Sequence, residues 1–275
     1  MNNIANINYK NSSHSQIGFP TESEHLENFG FKFSSGGAHI SRTMMLRELG
    51  SVLLNIKQTA DAVEYRDAII DQNLLNKSTD STRMKTLRHL RELYALDVKI
   101  PIFGLLQNLY TADPNSLPLM ALQVAWTRDP LLRATTPAVI AAKDGELVET
   151  SSLSQDLEIA FPNQYSELNR NKIARNAASS WTQSGHLFGR VKKIRQLVTP
   201  SVAAVTMALY LGEVAGYHGA SIFSNPWCRL LDLSPDSART LGKDAHRAGL
   251  LNLRVMGEVV DMSFPLLAKF YGQSK

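Results

Sequence analysis

Apolar positions recur every three or four residues over most of the chain, the period of amphipathic helices. After a turn marked by Gly36 and Gly37, Met45, Leu46, Leu49, Val52 and Leu53 predict a helix over about 42–56, with Ser41 as its N-cap. "TADAVEYRDAIIDQNLL" predicts a second helix, capped by Thr59 or Asp61, with Val63, Ile69, Ile70 and Leu74 turned inward. The polar break "NKSTD" supplies Ser78, Thr79 and Asp80 as caps for a third helix. That helix reaches about Tyr94, and Met84, Leu87, Leu90 and Tyr94 form its apolar stripe.

Further helix follows Pro101, then "TADPNSLP" reads as a loop. Pro118, Pro130 and Pro137 punctuate a run of short helices, and Gly145 suits a positive-φ turn in "AAKDGE". A helix starts near "SSLSQDLE". Ile173, Ala177 and Trp181 step by four along the next, until Gly185 and Gly189 stop it; "LFGRVKKIRQLV" then reads as extended or a hairpin. "QLVTPSVAAVTMALYLG" predicts a buried helix, and "GASIFSNPWCRLL" a helix over about 219–231. "DLSPDS" is a cap and turn with Pro235 at the first helical position, and Gly249 ends the helix it opens. "LLNLRVMGEVVDMSF" alternates across a turn at Gly257 and predicts a hairpin.

The predicted fold is mainly α, with helix-turn-helix or winged-helix-like modules and a short C-terminal β-hairpin. The expected organisation is a flexible arm over 1–30, a helical domain over 31–150 with a helix-turn-helix-like segment, and a helical domain over 151–275 with a winged-helix-like end. With 275 residues, 44% hydrophobic and 20% charged, the chain has a globular composition. The N-terminus lacks the pattern of a signal peptide. The stretch 196–212 is broken by Thr199, Pro200, Ser201 and Thr206 and falls short of the about 20 apolar residues of a membrane span. Cys228, the single cysteine, excludes an intrachain disulfide and reads as a small core residue. A cytoplasmic protein is expected, with no membrane association.

A net charge of +4 and a pI near 9.1 lean mildly toward polyanionic partners. The distribution is sharper than the total. Arg83, Lys85, Arg88 and Arg91 sit on the third helix. Residues 169–200 hold Arg170, Lys172, Arg175, Arg190, Lys192, Lys193 and Arg195, and no Asp or Glu. Arg239, Lys243 and Arg247 step by four along the helix after Pro235. Each strip also fits an ordinary solvated helix face or surface loop. No phosphate-binding glycine loop, nucleophile elbow or histidine metal-ligand spacing is present. No cofactor, metal or small-molecule substrate is therefore expected, and no catalytic residue is assigned.

"IDQNLLNKSTDSTRMKTLRHLREL" (70–93) resembles the BrxA family of bacteriophage-exclusion (BREX) systems. The residues that carry the likeness are Gly36 and Gly37, then Asn73, Leu75, Lys77 and Thr82, then Arg83, Arg88 and Arg91. "NRNKIARNAASSWTQSGHLFG" resembles a later helix of the family, so the likeness covers about 31–190; the remaining C-terminal residues exceed the usual length. The resemblance implies a small, non-catalytic, mostly helical component of phage defence that binds double-stranded DNA. The three cationic strips would then contact phosphates with low sequence specificity, beside other defence proteins as partners. The alternative is a protein–protein adaptor that docks defence components through its winged-helix-like end.

Overall fold

The computed structural model describes residues 18–256 and 259–265. Helix α1 (Glu24–Phe29) is capped by Ser23 and closed by Gly30 at φ 114°, a backbone value open to glycine. A 3-10 turn at Ala38–Ile40 leads to α2 (Leu46–Asn55) and α3 (Ala62–Ile70). The start of α3 is a capping box: Asp61 accepts from the Val63 and Glu64 amides, and Glu64 reaches back to the Asp61 amide. Helix α4 (Asp80–Tyr94) starts at Thr79, which accepts from the Thr82 amide. Next come α5 (Pro101–Ala112), α6 (Leu117–Arg128), α7 (Pro130–Ala134) and α8 (Thr136–Ile140). Each has a proline in its first turn, where a missing N–H leaves nothing unpaired.

The second half holds α9 (Thr150–Ala160), α10 (Glu167–Gln183), β1 (Leu187–Phe188) and β2 (Ile194–Arg195). It continues with α11 (Val202–Val214), a 3-10 turn at Gly219–Ser224, α12 (Pro226–Leu230), α13 (Pro235–Arg247), β3 (Asn252–Met256) and β4 (Val259–Ser263). The fold is mainly α with a short C-terminal hairpin, as the spacing predicts. β1–β2 and β3–β4 are antiparallel, and Leu147 adds an isolated antiparallel bridge to Ile194.

Helices α6 and α11 are mostly apolar and buried along nearly their whole length. They run through one contiguous core that includes Trp126 of α6, Trp181 of α10 and Trp227 of α12. A buried indole N–H needs an acceptor. Thr136, Thr135 and Thr127 supply hydroxyls to Trp126, Trp181 and Trp227 at 2.8, 2.9 and 2.8 Å. Cys228 packs in this core, where burial pushes its thiol up to about 12.

Several expectations are corrected. Ser41 caps nothing; α2 starts from Met45 at φ 53°, without a side-chain cap. Val63 and Met84 are 61% and 57% exposed, because Tyr65 and Ile69 form the inner face of α3, and Thr86, Leu87, His89, Leu90 and Leu93 that of α4. The loop expected over 111–118 is instead the end of α5, a 3-10 turn at Pro114–Ser116 and the start of α6. The helix read over 219–231 is broken at Asn225, whose extended backbone lets its side chain accept from the Cys228 amide. In the expected arm, residues 18–30 include α1, which buries Leu26 and Phe29; residues 1–17 and Gly257 lie outside the described residues. A boundary at 150 would cut the Leu147–Ile194 bridge and the packing of α8 on α9.

His186 makes folding sensitive to acid. Its ring is fully buried, with Nε2 at 2.8 Å from the Leu230 carbonyl and Nδ1 at 2.9 Å from Ser184 Oγ. Burial pulls its pKa from 6.5 down to about 4. Between those values the unfolded chain binds a proton that the folded chain refuses, so stability falls as pH drops. The expected loss across the window is about 3 kcal/mol. Urea unfolding at pH 7 and pH 4.5 measures it; an unchanged midpoint would contradict it.

Candidate nucleic-acid interface

Residues 136–195 form a small module: α8, the strand segment at Leu147, α9, α10 and the β1–β2 hairpin. Ser166 caps α10 by accepting from the Asn169 amide. Ile173, Ala174, Ala177, Ala178 and Trp181 bury one face of α10, and α9 packs against it. The outer face keeps Lys172 and Arg175 exposed. Gly189 then turns the chain at φ 99°, where a Cβ would stand 2.2 Å from the Lys192 carbonyl oxygen; only glycine fits so tight a turn. The turn projects Arg190, Val191 and Lys192 into solvent.

Behind the turn, Lys193 Nζ donates to Thr182 Oγ1 at 2.9 Å and to the Gly189 carbonyl at 2.7 Å, tying the hairpin to α10. Burial lowers the pKa of that ammonium. Between α10 and the hairpin lies a cleft of about 850 Å³, lined by Arg175, Ser179, Thr182, Phe188, Arg190 and Lys193. Three cations thus converge on one concavity beside an exposed aromatic ring.

The fourteen cations singled out in the sequence divide by what each already holds. Lys172, Arg175, Arg190 and Lys192 are exposed and carry no ion pair among the described residues. Arg195 is a correction: it is buried, ion-paired with Asp232, and bonded to the His186 and Gln196 carbonyls, so no duplex reaches it. Arg170 pairs with Glu158 at 2.6 Å and donates to the Tyr165 carbonyl. The run 169–200 is therefore less cationic than its own residues indicate, because carboxylates distant in sequence neutralise two of its members.

On α4, Arg83 and Arg91 are likewise committed. Arg83 donates to the Ile70 carbonyl at 3.1 Å and pairs with Asp80; Arg91 donates to the Ala62 carbonyl at 2.6 Å. Both fasten α4 to α3. Lys85 and Arg88 stay exposed, and Arg88 and Arg91 line a shallow hollow of about 340 Å³ with Arg66 and Met84. On α13, Arg239 lies 5.4 Å from the Phe223 ring centroid and Arg247 pairs with Asp244 at 2.8 Å, while Lys243 is exposed. That helix packs on α11, outside the 136–195 module.

Sequence spacing gave no sign of a hydrogen-bonded Ser–His–Asp chain. Asp129 Oδ2 lies 2.7 Å from His39 Nδ1, and His39 Nε2 lies 2.8 Å from Ser180 Oγ. All three are fully buried. Ser180 Oγ also accepts from the Met44 amide and donates to the Asn176 carbonyl. Asp129 accepts from the amides of His39, Leu131 and Leu132, and its pKa is lowered by the His39 charge and these hydrogen bonds against the cost of burial. The hydroxyl is fully buried and bonded on both sides, and the chain ties α10, α7 and the segment before α2 together. Gly37 is required beside it, since a Cβ there would fall 2.1 Å from Asp129 Oδ1.

No protein-family model matches the chain, and no curated protein matches it significantly. Among the described residues, no helix is long and apolar enough to cross a membrane.

Proposed function

We propose that the chain is a cytoplasmic, non-catalytic protein that binds double-stranded DNA, with α10 and the β1–β2 hairpin as its contact surface. One observation carries this: Lys172, Arg175, Arg190 and Lys192 stand exposed and unneutralised on a helix and the hairpin that follows it. The order helix, strand segment, helix, helix, hairpin is that of a winged helix, in which the last helix faces the major groove and the hairpin meets the adjacent backbone. All four residues are cations, so they position a duplex through phosphates and confer little sequence preference. The likeness of 70–93 to the BrxA family supports a place in BREX-type phage defence, with other defence proteins as partners.

Fluorescence anisotropy with a labelled duplex at several salt concentrations tests the proposal. Four phosphate contacts predict that log affinity falls with log salt at a slope of about −3.6. Failure to bind any duplex at low salt and micromolar protein would remove the proposal.

A further inference from the structure

The same module carries a second concavity of opposite character. On the strand edge away from β1, α8, α9 and residues 146–149 enclose a groove of about 410 Å³. Its apolar lining includes Ala138, Ala142 and Val148, with Leu147 and Ile159 43% and 60% exposed. Glu146 and Glu149, both exposed, line it together with Ser152, Gln155 and Asp156, and no Lys or Arg does. Asp156 fixes α8 against α9 by accepting from the Ala138 amide at 2.8 Å. Glu146 accepts from the Lys143 amide with one oxygen, which holds its carboxylate in place.

A groove that pairs an apolar side with acidic groups fits a modest apolar side chain flanked by cations. The chain itself displays such a group: Val191 is 86% exposed between Arg190 and Lys192 on the rigid Gly189 turn. We propose that the groove takes the β1–β2 turn of a second copy of this chain. Val191 packs on Leu147 and Ile159, and Arg190 and Lys192 face Glu146 and Glu149. Groove and turn lie side by side, joined by the hydrogen bond from the Val148 amide to the Lys193 carbonyl at 2.7 Å. A two-fold pairing therefore seats both turns at once and closes at the dimer. Two such contacts bury less than the roughly 1,600 Å² of a standard interface, so the dimer is transient and weakened by salt. Pairing hides the turn that the proposed duplex contact uses, so a duplex and a second copy compete for it.

Sedimentation velocity on the full chain without DNA, from low micromolar to several hundred micromolar, tests the pairing. The expected result is a dimer fraction that grows with concentration and shrinks at high salt. Glu146→Lys with Glu149→Lys, and separately Arg190→Glu with Lys192→Glu, each weaken association by at least about tenfold through like-charge contact. An equimolar mixture of the two variants restores it, because each reversed groove then meets a reversed turn. All four positions are exposed, and a single cooperative melting transition shows that the variants are folded, although Glu146→Lys gives up the bond to the Lys143 amide. A wild-type monomer at every concentration, or a mixture that stays monomeric, overturns the pairing. With no DNA present, that failure leaves duplex binding untouched, and a failure of duplex binding leaves the pairing untouched.

Discussion

Arg190→Glu combined with Lys192→Glu is expected to lower duplex affinity on the order of 100-fold. Two charge-assisted contacts are lost at about 1.5 kcal/mol each, and about 1.4 kcal/mol corresponds to tenfold in affinity. Both side chains are exposed and unpaired among the described residues, so the fold loses nothing with them. The salt slope is expected to become shallower by about 1.8, from two phosphates no longer neutralised. Arg83→Gln provides the contrast. Its guanidinium already holds the Ile70 and Lys77 carbonyls and Asp80, so its loss costs stability and leaves affinity within about threefold, below the range of a lost charged contact. Anisotropy titrations of the three proteins separate the two effects. Equal losses for both variants would show that charge acts without regard to place.

Asp129→Ala is expected to be the most damaging single substitution for folding. It removes the cap of α7 and strands His39 in the core, where its Nδ1 loses its 2.7 Å partner. Breaking a buried pair at one partner costs about 3–5 kcal/mol. With a shift of about 2–4 °C per kcal/mol for chains near this length, the melting temperature falls on the order of 10 °C. Gly37→Ala is expected to act in the same direction, since the added methyl group meets Asp129. Differential scanning calorimetry measures both. A loss under about 1 kcal/mol for Asp129→Ala would mean that the tie carries little of the fold.

The helices of this chain were legible because burial imposes a period on sequence. Ile173, Ala177 and Trp181 marked the inner face of α10, Gly185 and Gly189 marked its end and the turn, and Ser234–Pro235 marked the start of α13. The faces of α3 and α4 were less legible. Val63 and Met84 are apolar yet exposed, while Thr86 and His89 are polar yet buried, so hydrophobicity misplaces the stripe. The strand segment at Leu147 left no trace, because one bridge makes no alternation.

The interface was legible in part. Charge bias located α10 and the hairpin, but a sequence cannot show which cations are already neutralised. Glu158 and Asp232 reach Arg170 and Arg195 across the fold, and backbone carbonyls take up Arg83 and Arg91. The acidic groove stayed hidden for a related reason: its walls come from α8, α9 and the loop between them, and no one of these is acidic or apolar enough to stand out.

Amide hydrogen exchange with and without a duplex tests the contact surface most directly. Slowed exchange is expected in α10 and in the β1–β2 hairpin, centred on residues 186–196, with α13 unchanged. Protection confined to α4 or α13, or no protection anywhere at saturating duplex, would contradict it.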